Sequence, residues 1–179
     1  MRTKEILVSL WLCLALGSTV TQAAPILWNI SGMTFDDGGT ATGSFIFDAN
    51  TTTYSAVSIV TTAGTNFAGA SYDTGDVSNS LFGGSDENGL HLVRNLGESI
   101  LLMDFDSALT NAGGVISLST GFPAFEGDCA DPTCGSGDIF RAVAGGGVIG
   151  ATVPEPTTLI LMGLGLAGIG YRRKQIKAA

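Results

Sequence analysis

Between residues 24 and 152, apolar residues recur in short runs with a two-residue period. Gly, Asp, Asn, Ser and Thr break these runs at turn-like intervals, and no window sustains the spacing of an amphipathic helix. The pattern predicts strands at 26–35, 41–48, 53–62, 67–72, 90–96, 99–105, 115–120, 138–144 and 148–152. In the clearest of them, Leu90, Leu92, Arg94 and Leu96 alternate with His91, Val93 and Asn95. Arg94 then falls on an apolar face, near an edge or beside a carboxylate, and His91 on a mixed one. Alternation through 53–62 is partial, with Val57 and Ile59 opposite Ala56, Ser58 and Val60, which predicts cover on both faces. Asp36-Asp37-Gly38-Gly39 suits a tight turn, and Ala49-Asn50-Thr51 joins a hairpin. Short strands with brief polar connections predict an all-β domain, an antiparallel β-sandwich or jelly-roll type, and leave the strand order open.

The pattern changes at both ends. Met1–Ala23 has a basic start at Arg2 and Lys4, an apolar stretch from Ile6 to Gly17, and small residues at Thr21 and Ala23, the arrangement of an N-terminal signal-peptide helix. At the other end, Val153, Pro154, Glu155 and Pro156 form a break that favours extended backbone. Thr157 to Gly170 is then an uncharged run of fourteen residues, short beside the roughly 20 that a bilayer core needs. Tyr171, local bilayer thinning and snorkelling arginines offset part of the shortfall, so a C-terminal transmembrane helix is expected over 157–171. The basic tail 172–179 opens with the membrane stop Arg172, Arg173 and Lys174, which places the C-terminus in the cytoplasm and the domain outside. The organisation expected is thus signal peptide 1–23, exported domain 24–152 and sorting segment 153–179.

Charge narrows the choice of partners for the middle region. Fourteen acidic residues lie within 24–152 against only Arg94 and Arg141, a net charge of 2 − 14 = −12. Such a surface repels phosphate backbones, so nucleic acid is not expected as a partner. Cys129 and Cys134 close a short loop and read as a disulfide in an exported chain, while Cys13 leaves with the signal peptide. With His91 the only histidine and far from both cysteines, no zinc site is expected.

The remaining candidate chemistry is sparse. Gly163, Gly165 and Gly168, and again Gly145, Gly147 and Gly150, match the glycine spacing of a dinucleotide fingerprint without its strand-to-helix context, so no cofactor is expected. The first set suits close helix contact in a membrane, and the second a turn or a flexible approach to the anchor. The pairs Asp36 with Asp37 and Asp104 with Asp106, and the group Asp128, Asp131 and Asp138, offer oxygen ligands but lack the order of a calcium loop. His91 stands alone, no nucleophile elbow occurs, and the chain is read as non-enzymatic without a metal site. Two alternatives are kept. A carbohydrate-binding module would use Trp28, Tyr54 or Tyr72 as exposed stacking platforms, and a secreted hydrolase would need His91 beside a serine or carboxylate.

Val153-Pro-Glu-Pro156, the apolar stretch with Leu164-Gly-Leu166, and Tyr171-Arg-Arg-Lys174 together resemble the PEP-CTERM sorting signal of Gram-negative exported proteins. Phe35–Phe45, Phe47-Asp48 and Tyr54–Val57 are similar to the start of many small β proteins carrying that signal, and no activity comes with this second match. The resemblance implies export, a transient hold in the inner membrane, and processing by an exosortase that recognises Pro154, Glu155 and Pro156. It also implies a cell-surface or extracellular destination and an association with exopolysaccharide and biofilm material.

Overall fold

The computed structural model describes residues 23–94, 99–129, 139–151 and 163–165. The chain divides into two compact units, 24–153 and the terminal segments 1–23 with 154–179. Of the second unit, only Ala23 and a helical turn at 163–165 are described.

The described residues of unit 24–153 form nine strands: β1 (Ile26–Phe35), β2 (Thr40–Asp48), β3 (Thr53–Thr61), β4 (Ser71–Asp73), β5 (Gly89–Arg94), β6 (Ser99–Asp104), β7 (Gly114–Ser117), β8 (Phe125–Asp128) and β9 (Ile139–Gly150). All pairings between them are antiparallel, in the order β4-β3-β2-β1-β9-β8-β6-β5. β9 holds the path together. One of its edges pairs with β1 along Val143–Gly150, while the other pairs with β8 over Ile139–Ala142 and with β7 over Gly147–Gly150.

The two ends of this path meet. Val77, just past β4, bridges Leu92 of β5, and the Ser78 N–H donates to the His91 carbonyl at 2.8 Å. Arg94 reaches back across the same seam, donating to the Ser71 carbonyl at 2.9 Å, with its guanidinium 5.7 Å from the centre of the Tyr72 ring. The sheet therefore curls into a nearly closed barrel, and closure covers edge groups that an open sheet would expose. The all-β, antiparallel expectation holds, while the layering is one curled sheet rather than two stacked ones. Closure comes from contacts between residues far apart in sequence, which a period-two pattern does not encode.

Trp28, Phe45, Phe47, Ile59, Leu90, Leu92, Leu101 and Met103 fill the main core. A second cluster of Ile100, Leu102, Phe125 and Cys129 uses the opposite face of β6 and β8 and is covered by Phe82 and Val93.

Buried with the core is an ion pair. Arg141 donates from Nε to Glu126 Oε2 at 2.8 Å, and both side chains are fully inaccessible. Thr61 and Tyr72 hydroxyls donate to Glu126 Oε1 at 2.7 and 3.0 Å. Arg141 Nη1 donates to the Thr62 carbonyl at 2.9 Å and to Asp37 Oδ1 at 3.3 Å. The Phe35 and Phe67 rings lie against the guanidinium, 4.1 and 4.5 Å from their centroids. A buried pair is tolerated when further hydrogen bonds satisfy its lone pairs and protons, as they do here.

Several predicted elements change for physical reasons. β8 lies outside the predicted strands, because Phe125-Glu126-Gly127-Asp128 reads as polar; the carboxylate that spoils its pattern is the one Arg141 neutralises. The strand expected at 67–72 shortens to Ser71–Asp73, and Phe67 packs on Arg141 instead. In β3, Ala56 has φ 47° at a register shift between Ser44 and Ile46, so Tyr54 and Val57 share the inner face and only one face is covered. Gly145, Gly147 and Gly150 form no turn or flexible approach. They lie inside β9, which fuses the two strands expected at 138–144 and 148–152. A Cβ on Gly146 would sit 2.5 Å from Met33 Cα of β1, and one on Gly147 would sit 2.6 Å from the Ile116 carbonyl oxygen of β7.

Candidate functional site

A groove of about 610 Å³ lies over β6, β8 and β9. Leu102, Phe125, Phe140 and Ala142 supply its strand wall, Phe82 comes from a short 3-10 turn, and Phe122 with Pro123 comes from the β7–β8 loop. Phe122 is 85% exposed and stacks on Phe125 at 5.4 Å with 13° between ring planes. Phe125 meets Phe140 edge-on at 5.3 Å. Asp36, in the β1–β2 turn, is the charged residue of the described lining. Its Oδ1 accepts from the Ala142 N–H at 3.0 Å, and its own N–H donates to the Ala142 carbonyl at 3.0 Å. The turn is thereby fastened to β9 at the groove's side. Phe82 and Phe122 escape periodicity because they sit in loops; the available signal was an aromatic within Gly121-Phe122-Pro123, where no strand position exists to bury it.

His91 and Asp104 come together elsewhere, on β5 and β6. Nε2 of the imidazole lies 3.1 Å from Asp104 Oδ1. His91 is buried, and its Nδ1 has no partner among the described residues. The nearby Ser85 hydroxyl donates to the His91 carbonyl and accepts from the His91 N–H, at 3.0 and 2.9 Å. Both contacts are to backbone, so this hydroxyl serves as a loop fastener rather than a partner of the imidazole. The carboxylate that the hydrolase alternative requires is present, but no nucleophile is seen meeting the ring among the described residues.

The three aromatics expected as stacking platforms are all interior: Trp28 is 0%, Tyr54 9% and Tyr72 2% exposed. They point inward because each sits on the core-facing register of its strand. Tyr54 donates to the Asp86 carbonyl at 2.7 Å. Burial, reinforced by Asp86 and Glu87, raises its phenol above the ordinary range; burial and Glu126 do the same for Tyr72.

The acidic groups do not gather. Asp37 turns to Arg141, Asp104 to His91, and Asp106 accepts from Ser119 at 2.9 Å. Among the described residues no cluster of three or more metal-binding side chains occurs. Asp131 and Asp138 lie outside the described residues, as does Cys134; Cys129 is buried beyond the end of β8.

Comparison with known families bears on the C-terminal segment. Residues 152–174 match the family model described as the PEP-CTERM protein-sorting motif. The chain carries a PEP-CTERM signal. That signal implies export, membrane-anchored sorting and an exosortase as the processing partner. The matched PEP-CTERM stretch includes Val153, Pro154, Glu155 and Pro156 and reaches Arg172, Arg173 and Lys174, all of which lie outside the described residues. Among the described residues no helix is long and apolar enough to cross a membrane, and the helix expected at 157–171 is described only at 163–165. The signal-peptide helix expected at 1–23 is likewise outside them, apart from Ala23. No curated protein and no solved structure matches the chain.

Proposed function

We propose that this chain is a non-enzymatic protein of the bacterial surface or extracellular matrix, delivered by its own C-terminal signal. The match of residues 152–174 to the PEP-CTERM motif carries the reading. In it, the signal peptide starts export, the apolar run holds the chain in the inner membrane with Arg172, Arg173 and Lys174 on the cytoplasmic side, and an exosortase acts near Pro154-Glu155-Pro156. The released domain then joins exopolysaccharide or biofilm material.

The placement of the motif supports this order of events. β9 ends at Gly150 and the match begins at residue 152, so a cut near the Pro-Glu-Pro break leaves all nine described strands intact. Two prolines lack backbone donors and bias the residues before them towards extended backbone, a form a processing enzyme can take into its cleft. A Cys129–Cys134 disulfide suits the oxidising compartment outside the inner membrane.

Replacing Pro154, Glu155 and Pro156 together with alanine is expected to leave full-length chain in the inner-membrane fraction. Intact mass of the wild-type secreted form should show a cut near the motif and a deficit of the two thiol hydrogens lost to the disulfide. Release of the triple variant at the wild-type level and mass would exclude the sorting role.

A further inference from the structure

We propose that the outer groove binds a small organic cation, an ammonium group carried on an aromatic or alkyl body. Three independent observations point there. The first is shape: about 610 Å³ falls within the roughly 300–1,000 Å³ of small-molecule sites.

The second is the lining. Phe122 offers a ring face to solvent from a loop that is braced by stacking on Phe125, and Phe140 stands half-exposed beside the same ring. Ring faces carry the negative side of the aromatic quadrupole, so they accept an apolar body and favour a positive charge over a negative one. A sugar would present a rim of hydroxyls, and the described lining has Asp36 as its polar side chain, too few partners to replace the water such a ligand loses.

The third is charge. Residues 24–152 carry 2 − 14 = −12, and both of their cations are engaged elsewhere. Arg141 is enclosed with Glu126, and Arg94 is bound across the β4–β5 seam. No cation among the described lining residues offsets Asp36, whose carboxylate is held in place through the Ala142 N–H. An anionic ligand therefore meets repulsion, a neutral one gains only the rings, and a cation gains both.

The test uses the full chain in lipid nanodiscs, titrated calorimetrically against empty nanodiscs with phenylpropylammonium, phenylpropanol and phenylpropionate. The cation should bind about 5- to 10-fold more tightly than the alcohol, with the anion weakest, and raising the salt should narrow the gap. Asp36→Asn keeps an oxygen for the Ala142 N–H and removes the charge, so cation and alcohol should converge. Phe122→Ala removes an exposed ring, so the melting temperature should hold while binding of the cation and the alcohol weakens at least threefold or so. Equal affinity for cation and alcohol in the wild type, no saturable binding of the cation, or unchanged binding in Phe122→Ala would each overturn the proposal. Displacement of the cation by a neutral monosaccharide would overturn it as well. None of these outcomes depends on how the chain is sorted.

Discussion

Arg141 forms its ion pair inside the barrel with carboxylate, carbonyl and two aromatic rings around it, and that enclosure leaves little room for change. Truncation to alanine would strand Glu126 without its counter-charge, while Thr61 and Tyr72 still point hydroxyls at it. Arg141→Ala should lower stability by about 3–5 kcal/mol in urea unfolding, the range found when one partner of a buried pair is removed. Replacing both partners, as Arg141→Met with Glu126→Leu, should recover most of that loss, since the cost lies in the unpaired charge. Asp37 adds a pH dependence. Burial alone would raise its carboxyl, but the Gly39 N–H and the Arg141 guanidinium outweigh that and hold it below its usual 3.8. A depressed folded-state value means the contribution is present above the unfolded value and is lost as pH falls through the folded one. Stability should therefore fall below about pH 4, and Asp37→Asn should flatten that acid limb in urea midpoints taken from about pH 6 to about pH 2.

β9 shows why glycine runs are ambiguous in sequence. Read alone, Gly145-Gly146-Gly147 suggests a turn. In the fold the same residues allow β1 on one edge of β9 and β7 on the other to approach closely. Gly146 has φ 122° and faces Met33 backbone at 2.5 Å from where a Cβ would stand, so substitution meets both strain and a clash with main chain that cannot swing aside. Gly146→Ala should cost roughly 2 kcal/mol in thermal or urea unfolding, within the range for overpacking a tight site. β2 and β5 were legible because each sets apolar residues at a period of two, and β1, β3 and β6 because each is a short apolar run between turn residues. β8 was not legible, since the residue at its centre is a glutamate whose partner lies on another strand. In β3 the division of faces was right and the expected cover on both was not: Val57 and Ile59 are buried, while Ala56, Ser58 and Val60 are exposed.

For the whole molecule, the fold and the address are separable along the chain. The compact unit ends at Val153, and the sorting motif matches 152–174. The Pro154, Glu155 and Pro156 triple variant that is expected to remain in the inner membrane should therefore melt like the wild type, since none of the three lies in the barrel. A lowered melting temperature would mean that retention reflects misfolding instead of lost recognition. The groove has the opposite standing: it exists only because β6, β8, β9 and three loops meet on the outside of the wall, and no contiguous stretch of sequence contains it.

The sequence by itself determined the β character of the middle region, its acidity and the C-terminal sorting signal. All three depend on local information: side-chain period, charge count, and a motif read in order along an unbranched segment. Tertiary structure alone decided that the sheet curls nearly closed, that Trp28, Tyr54 and Tyr72 are interior, and that Phe122 and Phe140 present exposed rings. Those outcomes rest on pairings such as Val77 with Leu92 and Glu126 with Arg141. Each joins residues whose local patterns carry no record of the other, and burial against a distant partner determines which way a side chain faces.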